Sequence, residues 1–80
     1  MTLFVLTHHH EPGDCGAAIA AWKGFDSPLR GMPIVASCVS GGHHAWWQVD
    51  ASDAATALAQ LPPFVAARTS VEAVREVLLP

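Results

Sequence analysis

The chain has 80 residues, a net charge of −3 and only four permanent cations, Lys23, Arg30, Arg68 and Arg75, scattered along its length. That is enough for one domain, 1–80, with a thin core, because a chain this short buries only about 60% of its unfolded surface. The missing basic stripe argues against nucleic acid as a partner, and no apolar run approaches the roughly 18 residues of a spanning helix, so no membrane contact is expected.

Hydrophobic residues make up 51% of the chain and charged ones 14%. So much apolar surface on so small a body is expected to need a second copy to cover part of it, which points to a homodimer. The N-terminus has no positive n-region and too short an apolar run for a secretory signal, so a cytoplasmic location is expected. In a reducing compartment the two cysteines, Cys15 and Cys38, are not expected to form a disulfide.

Thr2 to His10 reads as a first strand, and its run Leu3-Phe4-Val5-Leu6 suits a strand in the middle of a sheet. Glu11-Pro12-Gly13-Asp14 forms a turn, with Asp14 as the expected cap of a helix. Ala18, Ala21, Trp22 and Phe25 mark one face of that helix, and Gly24 is its expected stop. A loop over Asp26–Met32 leads to a second strand, Pro33–Ser40. Gly41-Gly42 then reads as a tight hairpin turn into a third strand from about His43 to Asp50. Ser52 or Asp53 caps a second helix with Ala54, Ala57, Leu58 and Leu61 on one face, and Pro62-Pro63 ends it. Ser70–Val77 reads as a last strand, with a helix as the competing assignment.

This order is the split βαβ pattern of ferredoxin-like α+β domains, βαββαβ. It implies a four-stranded antiparallel sheet with two helices on one face and the first and third strands as central neighbours. The other face stays open for a second sheet.

The stretch Gly41-Gly42, Val49-Asp50-Ala51-Ser52-Asp53, Leu61-Pro62-Pro63-Phe64 and Val71-Glu72-Ala73-Val74-Arg75-Glu76-Val77 resembles a small uncharacterised bacterial family. That family sits within the dimeric α+β barrel superfamily, which also holds the antibiotic-biosynthesis-type monooxygenases. The resemblance covers about the last two thirds of the chain and implies a dimeric barrel. Its motifs are structural and say little about activity. The His-rich first strand departs from the monooxygenases, whose cofactor-free chemistry needs no histidine cluster.

The histidines carry the functional signal. His8, His9 and His10 end the first strand, while His43 and His44 begin the third. Antiparallel neighbours place those two ends side by side. His8 and His10 share a face, and one of His43 and His44 joins them. Cys15 follows His10 by five residues and can fold back as a further ligand, while Glu11 and Asp14 are nearby oxygen donors. Three or four N/S donors suit zinc, copper, nickel or iron. The expected metal ligands are therefore His8, His10, Cys15, His43 and His44. The alternative that the histidines are strand-end polar residues with no shared task stays open at this point. Cys38, late in the second strand, lies near the same end of the sheet and reads as a small buried hydrophobe.

Trp46 and Trp47 point to opposite faces of the third strand. One is expected in the core, and the other lining either the dimer barrel or a pocket for a cofactor or small molecule. This supports a rival reading, a cofactor-free monooxygenase- or isomerase-type enzyme using a histidine as acid or base. Ser40 in its Ser-Gly-Gly setting reads as turn chemistry, not as a nucleophile. Asp50 and Asp53 read as a strand end and a helix cap, and Arg68 and Arg75 as surface residues.

Overall fold

The structure, a computed structural model, describes residues 1–80. Strand β1, Thr2–His9, is followed by a 3-10 turn over Pro12–Asp14 and by helix α1, Cys15–Ala20. After an irregular stretch come β2, Val35–Ala36, a 3-10 turn over Cys38–Ser40, and β3, His44–Ala51. Helices α2, Ala54–Leu58, and α3, Pro63–Ala66, precede β4, Thr69–Val74. The fold is α+β, with one open four-stranded sheet in the order β2-β3-β1-β4 and every pairing antiparallel.

Alternation along the strands creates two unlike faces. Phe4 and Leu6 from β1 and Ala45, Trp47, Val49 and Ala51 from β3 turn inward. With Ala57, Leu61 and Val65 from the α2–α3 region they form the buried core. The register sets Leu6 between Trp47 and Val71, and its side chain has no exposed surface. The opposite face, with Leu3, Val5 and Trp46, contains none of the buried residues.

Several elements differ from the sequence reading, each for a physical reason. The second strand is two residues long instead of spanning Pro33–Ser40, since Pro33 has no N–H for a ladder and the chain coils at Cys38. Gly41-Gly42 is not a two-residue hairpin turn. The connection runs from residue 37 to 43, with positive φ at Gly41 (86°) and His43 (56°). The first helix stops at Ala20, and Asp14 belongs to the preceding 3-10 turn without capping through its side chain. Asp53 does cap α2, accepting from the Thr56 N–H at 2.7 Å. That bond, with one from the Thr56 hydroxyl, holds the Asp53 carboxyl below its ordinary pKa. The second helix stops at Leu58, short of Leu61 and of the proline pair expected to end it, and Pro62-Pro63 instead opens α3, because proline's fixed φ suits the first helical turn. The last strand stops at Val74, short of Val77.

The seven-residue connection is tight at one point. Ser37 Oγ accepts from the His44 N–H at 3.1 Å, and the Gly42 N–H donates to the Ser37 carbonyl at 2.8 Å. A Cβ on Gly42 would meet Ser37 Cβ at 2.7 Å. Gly42→Ala is therefore expected to cost about 1–3 kcal/mol and to displace the turn that carries Cys38 and His43. Urea unfolding monitored by tryptophan fluorescence would read the loss.

Candidate metal centre

The end of β1 and the start of β3 meet at one edge of the inner face. His10 follows the last residue of β1 and donates its N–H to the His43 carbonyl at 3.2 Å, which extends the β1–β3 pairing by one step. His43 is the only non-glycine residue with positive φ. Such a conformation typically costs about 1–3 kcal/mol and occurs most often where function requires it.

Three side chains converge there. Cys15 Sγ, carried by the first residue of α1, lies 3.2 Å from His10 Nε2 and 3.2 Å from His43 Nδ1. These three donor atoms all lie within 4.8 Å of one another. Cys38 Sγ, from the turn before β3, stands 3.7 Å from His10 Nε2. Zinc–sulfur bonds of about 2.3 Å and zinc–nitrogen bonds of about 2.0 Å, set at a tetrahedral angle, separate N from S by about 3.5 Å. The observed N···S distances bracket that figure, so the group could hold a metal ion with small side-chain adjustments. Both cysteines are free thiols.

Of the other expected ligands, His8 sits behind His10. Its Nε2 is 2.9 Å from His10 Nδ1, and its Nδ1 is 3.2 Å from the Val65 carbonyl and 3.1 Å from the Thr69 hydroxyl. Both of its nitrogens are engaged away from the Cys15 side. His44 lies on the opposite face. Its Nδ1 donates to the Gly42 carbonyl at 2.7 Å, and its ring stacks on Trp46 and against His9, its cross-strand partner. The structure thus brings His10, Cys15 and His43 together and leaves His8 and His44 outside that group.

Cys38, read from sequence as a small buried hydrophobe, is only half-buried and stands at the site. The strand order places it at this end of the sheet, as expected, but its thiol reaches His10 from a 3-10 turn after Ala36, of which strand periodicity carries no signal. Trp47 belongs to the core, packed on Trp22 with ring centroids 6.0 Å apart. Trp46 lies on the open face and lines a groove of about 700 Å³ with Val5, Leu29, Met32 and Val35, which the edge of Trp47 also reaches.

Burial of His8, which is only 2% exposed, holds its pKa below the ordinary imidazole value. The hydrogen bond to the Val65 carbonyl opposes that shift, and the neighbouring positive charges of His10, Arg68 and His9 reinforce it. In the unfolded chain His8 takes up a proton near pH 6.5, while in the folded chain it resists until a lower pH. Stability is therefore fully present above about pH 6.5 and falls as the pH drops from there to the lowered folded-state value. Thermal melts of metal-free protein between pH 8 and 5 are expected to show a falling Tm below about 6.5, with a smaller slope in His8→Gln.

No protein-family model matches this chain, and no curated protein or solved structure shows significant similarity to it. No helix is long and apolar enough to cross a membrane.

Proposed function

We propose that the protein binds one transition-metal ion per chain, zinc by preference, through His10 Nε2, Cys15 Sγ and His43 Nδ1, with Cys38 as the fourth ligand. The carrying observation is that three donors, separated by five and 28 residues along the chain, lie within 4.8 Å of one another. A mixed imidazole–thiolate set favours zinc and also takes copper, nickel or iron, whereas it suits magnesium and calcium poorly. The half-buried Cys15, Cys38 and His43 give an ion a route in from solvent. Such a site fits a module that senses, stores or buffers metal.

The reading extends to the whole molecule. We place the chain among ferredoxin-like βαββαβ domains, with the family resemblance noted above, and assign it to the cytoplasm, where both thiols stay reduced. The open sheet face with Leu3, Val5 and Trp46 is the surface through which a homodimer would form. The groove beside Trp46 favours one second reading, a small-molecule enzyme whose apolar substrate lies on that face.

Elemental mass spectrometry of purified, untagged protein tests the proposal, with His10→Ala, Cys15→Ala as the control. About one ion per chain is expected, and none in the variant. If neither protein holds metal after incubation with zinc, copper and nickel, the proposal fails and the groove becomes the site to probe.

A further inference from the structure

His8 is buried, makes no hydrogen bond to Cys15, and yet has partners at both ring nitrogens. Those partners fix where its hydrogen lies. The Val65 carbonyl can only accept, and the Thr69 hydroxyl spends its own hydrogen on that same carbonyl at 2.6 Å. His8 Nδ1 must therefore be the protonated nitrogen, donating to Val65 and Thr69. A cationic His8 would also carry a hydrogen on Nε2, with only another imidazole and no carboxylate to receive it in a dry setting. Neutral His8 offers a lone pair at Nε2 instead. His10 Nδ1, 2.9 Å away, then holds the hydrogen of that bond. Its other nitrogen, Nε2, is left with its lone pair towards Cys15 and Cys38.

We infer that the Val65 carbonyl, relayed through His8, locks His10 in the Nδ1–H tautomer and so presents a bare Nε2 to the metal before any ion arrives. His8 is thus a positioning residue and not a ligand. The inference rests on the metal reading for its purpose, but the tautomer itself belongs to the metal-free protein. Ligating histidines commonly donate their second nitrogen to an oxygen acceptor. Here a second imidazole is interposed, so the orienting carbonyl lies two rings from the ion. The free energy otherwise needed to turn the His10 ring or move its hydrogen is already spent in folding.

The test is a multiple-bond ¹H–¹⁵N correlation spectrum of ¹⁵N-labelled, metal-free protein at pH 7.5, read beside zinc titrations. The expected result is that His10 and His8 both carry hydrogen on Nδ1 and none on Nε2. In His8→Phe, which keeps a ring but removes the acceptor, His10 should shift towards the Nε2–H tautomer. Zinc affinity should then fall about 10- to 100-fold. In His8→Gln, whose amide oxygen can accept, most of the affinity should return. A wild-type His10 that carries its hydrogen on Nε2 overturns the inference, as does a folded His8→Phe with unchanged tautomer and affinity. If His8→Phe does not fold, the wild-type spectrum decides alone. If wild-type protein binds no zinc, the Nδ1–H tautomer still upholds the relay while the metal reading fails by itself.

Discussion

Zinc at about one hundred times its dissociation constant should raise the stability of this domain by about 2.7 kcal/mol. For a chain of this size each kcal/mol moves Tm by about 4–8 °C, so the melt should shift upward by about 10–20 °C. The gain follows from what the ligands link. His10 follows β1, Cys15 opens α1 and His43 precedes β3, so an ion bound to all three stabilises the native arrangement and has no comparable site in the unfolded chain. Removing Cys15 and His43 together, as Cys15→Ala, His43→Ala, should abolish the shift while leaving the far-ultraviolet circular dichroism unchanged. Differential scanning calorimetry with zinc and then with excess chelator provides the comparison. A shift of equal size in wild type and variant would place the ion elsewhere on the protein.

Leu6→Ala should have the largest effect on the fold itself. Leu6 is fully buried at the centre of the sheet, paired with Trp47 on one side and Val71 on the other. Cutting a buried leucine to alanine costs about 2–5 kcal/mol, through lost transfer free energy and the cavity left behind. A domain of this length holds about 4–12 kcal/mol in total. One substitution therefore removes about a sixth of the reserve at the least, and about 3 kcal/mol corresponds to a fall of roughly 15 °C in Tm. The loss should carry over to the site, since β1 delivers both Leu6 and the histidines. A Leu6→Ala protein with a Tm within 3 °C of wild type, on the same scale of a few degrees per kcal/mol, would mean that the core lies elsewhere.

Much of this architecture can be read from the residues. The unbroken run Leu3–Leu6 marks β1 as central, and β1 does pair on both sides. Once β1 and β3 are antiparallel neighbours, the approach of His10 to His43 follows from strand direction alone. Parity separates the inward-facing His8 and His10 from His9, and the burial pattern has that alternation. What periodicity could not supply lies in irregular backbone. The coil at Cys38–Ser40, the left-handed turns at Gly41 and His43 and the break at Pro62–Pro63 are set by local sterics and by what packs beneath them. These details place Cys38 beside His10 and let His43 meet Cys15 while His44 turns to Trp46. The role of His8 was equally hidden, because it depends on the carbonyl of a residue 57 positions away.

The long irregular stretch between α1 and β2, residues 21–34, has its own relation to the site. Cys15 lies just before it, and Cys38 and His43 lie just after it. An ion held by these side chains acts as a clasp on a closed strap of chain, much as a crosslink does, and removes conformations from the unfolded ensemble that an open strap would explore. Metal supply would then set how tightly this strap, which bears Leu29, Met32 and the wall of the Trp46 groove, is held against the sheet. An ion at one edge and the apolar groove beside Trp46 would in this way be tied to each other through a single segment of backbone.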